Sequence, residues 1–190
     1  MKKFFLLAFF LVLPYLSNAQ IESTETASVE KSTLGIQTGV LGLWVYGETQ
    51  ISETTVIRGE FGFEGEIFGG INFDRTQYAF TPSFIIEPRW YYNLEKRSVL
   101  GKKTAYNSAN FVSVQTSFEP DWFDVSNIDN RLRVNRIAIV PTLGMRRQVG
   151  ARWNYELGLG IGYEYTFDSQ FVNSGNAILQ LNIRFGYRVK

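Results

Sequence analysis

From about residue 34 onward, apolar and polar positions alternate with a period of two, broken by short polar or glycine-bearing stretches. The clearest case is 154–167, "NYELGLGIGYEYTF". Its odd positions are Tyr155, Leu157, Leu159, Ile161, Tyr163, Tyr165 and Phe167; its even positions are Asn154, Glu156, Gly158, Gly160, Gly162, Glu164 and Thr166. Successive side chains of a strand point to opposite faces, so this sorting predicts one strand with two unlike faces. In 55–68, Ile57, Phe61, Phe63 and Ile67 oppose Arg58, Glu60, Glu64 and Glu66. In 80–94, Phe80, Phe84, Ile86, Trp90 and Tyr92 oppose Thr81, Ser83, Glu87, Arg89 and Asn93. In 177–189, Leu179, Leu181, Ile183, Phe185, Tyr187 and Val189 oppose Gln180, Asn182, Arg184, Gly186 and Arg188. Weaker alternation places strands at 34–41, 43–51, 109–118 and 136–147. Together with 153–167, these make eight. Pro82, Pro88 and Pro141 are expected at strand ends or bulges, because proline cannot donate to a ladder.

The N-terminus reads differently. Lys2 and Lys3 precede an apolar run over 4–13, Pro14 breaks it, and Ser17 and Ala19 fit the −3 and −1 positions of a cleavage site. This predicts a cleaved signal peptide over 1–19. The run is too short to span a bilayer as a helix. The polar stretch 20–33 is expected to be a flexible periplasmic leader, with the strands filling 34–190. Loss of Lys2 and Lys3 leaves 17 basic against 18 acidic residues, a balance that gives no footing for nucleic acid.

Composition then narrows the chemistry. The chain has no cysteine and no histidine, which excludes disulfides, thiolate or Ser–His catalysis and histidine-ligated metals. The glycines at 158, 160 and 162 invite a nucleotide-binding reading. A dinucleotide fingerprint, however, needs G-x-G-x-x-G opening a helix, and here the strand period simply continues. These glycines are expected to form a bare inner wall that makes room for long Glu and Arg side chains. Asp121, Asp124 and Asp129 lack the spacing and glycine of an EF-hand loop, so no metal and no cofactor is expected.

Period two does not say which face is wet. A soluble lipocalin-like barrel would turn its apolar face inward. Three features favour the reverse. Strand charges are almost entirely Arg and Glu, while the lysines beyond the signal (Lys31, Lys96, Lys102, Lys103, Lys190) and every aspartate fall outside the strands. Aromatic residues on the apolar faces gather toward strand ends, as in the girdles of transmembrane barrels. Placing arginine against lipid costs about 2–4 kcal/mol at the midplane. The expectation is therefore an all-β, eight-stranded antiparallel up-and-down transmembrane β-barrel. Its lumen would hold a network of Glu48, Arg58, Glu60, Glu64, Glu66, Glu87, Arg89, Arg146, Glu156, Glu164, Arg184 and Arg188. Eight strands leave an interior only wide enough for side chains to fill. An even strand count puts both termini in the periplasm, and leaves 95–108, "EKRSVLGKKTAYNS", as a long basic connection on the side where turns are short.

The stretches "IIEPRWYYNLEKRSVLGKKTAYNSANF", "EPDWFDVSN" and "LNIRFGYRVK" resemble a family of small outer-membrane β-barrel proteins of Bacteroidota. The resemblance implies an outer-membrane location and an eight-stranded barrel, and it supplies no catalytic residues. The chain departs from such barrels in ending "YRVK" instead of on an aromatic residue. The expected partners are outer-membrane lipid and lipopolysaccharide, the barrel-assembly machinery and a surface partner at the loops; the expected state is a monomer. Trp122, Phe123, Arg131 and Arg133 are loop-contact candidates, with a plainer alternative in which the aromatics rest on the barrel rim and the arginines meet lipid phosphates. A structural or surface-interaction role stands first. A narrow pore or small-ligand transporter gated by the Glu/Arg network stands beside it, and a carboxylate-based enzyme using Glu60, Glu64 and Glu66 is set against structural charge pairing with Arg58.

Overall fold

The computed structural model describes residues 27–69, 75–128, 131–167 and 175–189. The expected signal peptide, the leader up to residue 26, and Asp74, Asp129, Asp168 and Lys190 lie outside the described residues.

The strands are β1 (Ser32–Gly39), β2 (Gly42–Ser52), β3 (Thr55–Phe68), β4 (Gln77–Trp90), β5 (Asn110–Glu119), β6 (Val125–Ser126), β7 (Asn135–Val149), β8 (Trp153–Phe167) and β9 (Gly175–Arg188). Every pairing is antiparallel. Chain neighbours pair in order, β5 pairs with β7, and β1 pairs with β9, so eight strands close into a ring. The ninth, β6, only adds Val125 and Ser126 against Phe80 and Ala79 of β4, where β5 has already ended. The connections after β1, β3, β5 and β8 leave from one end of the ring, called upper here. Those after β2, β4 and β7 leave from the lower end.

Several expectations change. The prolines stand inside regular strands: Pro82, Pro88 and Pro141 pair with Phe63, Ile57 and Val114. Each is accommodated because pairing on its other side has lapsed: β4 and β5 skip from Ile86 to Arg89, β7 and β8 skip from Ile139 to Thr142, and Pro82 lies above the last rung with β5. The missing N–H therefore costs no rung. The fourth strand ends at Trp90 instead of 94. The basic connection that follows folds into α1 (Leu94–Val99) and a 3-10 turn (Ala105–Asn107).

Residues 27–33, assigned by composition to the leader, are built into the lower end of the ring. Val29 N donates to Glu53 O at 2.8 Å, and β1 begins at Ser32. Val29 is buried with Val56, Tyr91, Leu94, Ala109 and Phe111, which makes a small apolar cluster beneath the ring interior. Leu94 arrives on α1, so the connection that looked too long for its side supplies part of this closure.

Inside and outside are sharply sorted. Among the described residues, 12 hydrophobic side chains are buried, against 18 polar or charged ones. The outward positions of β8, by contrast, expose Leu157, Leu159, Ile161, Tyr163, Tyr165 and Phe167. The apolar face predicted from the period is the outer face.

Candidate functional site

The most concentrated chemistry is a charged core in the lower half of the ring. Strand alternation points Glu48 (β2), Arg58 and Glu60 (β3), Glu87 and Arg89 (β4), Arg146 (β7), Glu156 (β8) and Arg184 (β9) inward. Their side chains are at most 5% exposed. Four arginines meet four glutamates, so the core is electrically balanced. Arg58 is the hub. Its Nη1 lies 2.8 Å from Glu48 and 3.3 Å from Glu156, its Nε donates to Glu60, and its Nη2 donates to Gln37. Arg146 Nη1 reaches Glu48 at 2.7 Å, and its Nε lies 3.2 Å from Glu156, close enough for charge pairing but out of line for a hydrogen bond. Arg89 bridges Glu87 at 2.8 Å and Glu156 at 3.1 Å, while Arg184 holds the second oxygen of Glu60 at 2.6 Å.

Neutral side chains complete the shell. Ser113 donates to Glu87 at 2.6 Å, and Asn107 donates to Glu48 at 2.8 Å. Tyr46 accepts from Arg146 at 2.7 Å, and its ring lies 4.0 Å from the Arg58 guanidinium carbon. Arg89 stacks over Phe111 and Arg184 over Trp44, so each buried guanidinium has an aromatic face beside it as well as a carboxylate. Charges taken out of water need this density of partners, because an unpaired one costs several kcal/mol. Of these neutral partners, the inward Trp44 and Tyr46 share the parity of Glu48, a signal present in the alternation. Asn107 carried no such signal. It sits on the connection with φ 60°, a left-handed conformation that asparagine tolerates, and also accepts from Glu30 N at 2.8 Å.

Four network candidates lie elsewhere. Arg188 stacks over Tyr106 at the lower end and donates to Ala151 O. Glu64, Glu66 and Glu164 point into the upper half. There Glu66 accepts from Arg131 at 2.5 Å and from Arg136 at 2.7 Å, and Arg136 also holds Glu119 at 2.5 Å. Glu64 and Glu164 have no ion pair among the described residues. Arg136 and Glu119, outside the predicted set, thus belong to an upper cluster whose side chains are 12–25% exposed where they meet.

The loop-contact candidates separate as well. Trp122 packs edge-on against Phe84, and Phe123 against Phe63, both on the outer face of the ring. Arg131 does not project from the loop; it turns inward to Glu66 and to Asp124 at 3.1 Å. Arg133 meets Asp124 at 3.5 Å and stays about half exposed. The loop is stitched to β4 by Asn127, whose side chain accepts from Tyr78 N at 2.8 Å and donates to Thr76 O at 2.9 Å.

The glycine run is a point of close approach. A Cβ on Gly160 would fall 2.6 Å from Thr142 Oγ1 and Val140 Cγ1, and 2.8 Å from Pro141 O. The space is taken by the neighbouring strand β7, not by the Glu and Arg side chains expected there. The interior beside it is nearly full: the cavity between Arg89, Thr142, Glu156 and Asn182 has about 10 Å³, room for roughly one water. No group of three or more potential metal ligands is present among the described residues.

No protein-family model matches this chain, and neither a curated protein nor a solved structure is similar to it.

Proposed function

We propose that this protein is an integral outer-membrane β-barrel with a charged, plugged lumen, serving a structural or surface-interaction role through its upper loops. The observation that carries this reading is the inversion of the fold. Ion pairs fill the interior while Leu159, Ile161, Leu179 and Leu181 are 54–71% exposed on the outer wall. Continuous apolar surface of this extent calls for a non-aqueous neighbour, and a closed ring meets the demand that no backbone edge be left open to lipid over most of its height. Exposed Trp90, Tyr92 and Trp153 toward the lower end and Tyr78, Tyr163 and Tyr165 toward the upper end fit two interfacial girdles. Trp122 and Phe123, resting on Phe84 and Phe63 of the outer face, fit a wall that meets lipid. A lipocalin-like binder would need an apolar cavity where the Arg58 cluster stands.

Expressed with its N-terminal segment, the protein is expected to fractionate with outer membranes and to migrate faster in detergent gels before boiling than after. Recovery as a soluble periplasmic species would sink the proposal. In planar bilayers the folded protein is expected to be silent, because the core and the cluster beneath it close the lower half; a steady conductance would favour a pore gated by the Glu/Arg network.

A further inference from the structure

The wall of the ring is not equally tall all round. β1 covers the edge of β9 only from Arg188 to Arg184, opposite Gly35 to Gly39, and the chain then turns back through Val40 and Leu41. β2 starts at Gly42, opposite Glu64 of β3. Above that level β9 continues to Gly175 and β3 to Phe68. A notch is left whose sill is the β1–β2 hairpin. Along it, residues 175–183 of β9 have no strand partner on the β1 side among the described residues.

The sill is apolar. Val40 is 77% exposed and Leu43 54%, with Leu41 between them and no charged residue in the turn. The connection after β5 is by contrast rich in Asp, Asn and Arg. An apolar tip belongs at the depth of the apolar belt, not above it in water. The adjacent outward residues of β9, Leu179 and Leu181, are among the most exposed on the wall. Irregular or unpaired backbone at membrane depth is tolerated where it lines a cavity, and the inner side of the notch is polar. Gln180 and Asn182 face inward there and are half-buried, whereas Thr142, in the same row as Gln180 and Gly160, is fully buried. A second copy cannot complete the wall. Two barrels inserted the same way round are related by rotation about the membrane normal, so their tilted β9 edges would cross instead of running side by side.

We propose that this notch is a lateral portal: the polar head of an outer-leaflet amphiphile enters through it into the upper half of the ring, a chamber in which the inward Glu64, Glu66, Glu164, Gln180 and Asn182 are only half-buried, while the tail stays outside against Leu179, Leu181 and the hairpin tip. This rests on the membrane reading above. The chamber selects for head-group charge. Glu66 and Glu119 pair there with Arg131 and Arg136, Glu64 and Glu164 face inward at the same parity of β3 and β8, and the amides of Gln180, Asn182 and Gln115 add neutral hydrogen-bonding groups. The excess of acid favours a neutral or cationic head over an anionic one. The balanced core beneath, with space for a single water, is the chamber's floor.

The test is photo-crosslinking of the full-length protein, folded into vesicles of equal phosphatidylethanolamine and phosphatidylglycerol, with benzoylphenylalanine placed singly at Gln180, Leu181 or Arg188. Variants are used only after heat-modifiable migration establishes that they fold. Leu181 faces outward and should give lipid adducts of both kinds. Gln180, inside the notch, should give lipid adducts enriched in the ethanolamine lipid, and Arg188, inward at the lower end beneath the charged core, should give none. Adducts at Leu181 with none at Gln180, or equal adducts at Gln180 and Arg188, would overturn the portal and leave the membrane reading standing. No adduct at Leu181 would overturn both, and an unenriched mixture at Gln180 would overturn the charge preference.

Discussion

The lower and upper halves of the interior use the same two residue types to different ends. In the core around Arg58, every charged side chain is at most 5% exposed and touches partners from several strands. In the upper cluster, Arg131, Arg136 and Glu66 keep 19–25% of their side chains in contact with solvent. The first arrangement joins distant parts of the chain: Arg58 with Glu156, Arg146 with Glu48, Arg184 with Glu60. The second pins one loop to the rim. Burial sets the energetic scale, because removing one member of a buried group strands the others, whereas a solvated pair exchanges its partner for water.

The sharpest way to break this comparison is to truncate one arginine in each half. Arg58→Met leaves Glu48, Glu60 and Glu156 without their shared cation and is expected to cost about 3–5 kcal/mol, or to prevent folding. Arg131→Met should cost less, about 1 kcal/mol, because Glu66 keeps Arg136 and Asp124 keeps Arg133. Urea unfolding in lipid or detergent, followed by gel mobility, measures both; equal losses would erase the distinction between the halves.

A somewhat smaller effect is expected where the two halves meet. Gly160→Leu would force Val140, Thr142 and the Pro141 carbonyl apart, and overpacking of this kind costs about 1–3 kcal/mol, or more where backbone blocks relaxation. Folded yield should fall well below that of the parent. Parental yield of folded protein would show that the β7–β8 contact is slack.

The smallest effect belongs to the loop latch and depends on pH. Burial works against the charged form of Asp124, but hydrogen bonds from Arg131 and Ser126, with the Arg131 charge, outweigh it and hold its carboxyl below the ordinary aspartate range. A carboxylate whose pKa is depressed by folding contributes fully above its unfolded value and loses that contribution as pH falls through the folded one. The loop should therefore stay docked at neutral and mildly acidic pH and loosen only below about pH 4, the ordinary aspartate value. Anisotropy of Trp122, in a variant with Trp44, Trp90 and Trp153 replaced by phenylalanine, reads this out. Loosening already near neutrality would remove Asp124 as the latch.

Much of the fold was legible because one rule, alternation, applies to every wall strand. It located eight strands and assigned Glu48, Arg58, Glu60, Glu87, Arg89, Arg146, Glu156 and Arg184 to the face they occupy. It failed where period two stops carrying information. The lower closure is made by α1, the 3-10 turn and residues 27–31, too short or too irregular for any period to appear. Asn107 reaches Glu48 only because a left-handed turn aims it there. Likewise Arg188 shares the inward parity of Arg184, yet it lies at the lower end and meets Tyr106 instead of a carboxylate.

The sequence by itself determined which residues share a face, because side-chain direction along a strand is a local property of the backbone. Only the tertiary structure decided which inward residues meet, because that depends on the stagger accumulated round a closed ring. The same stagger sets Glu48 beside Arg146, ninety-eight positions away, and leaves the edge of β9 standing above the β1–β2 hairpin. Neither the charge balance of the core nor the notch in the wall is written in any single strand.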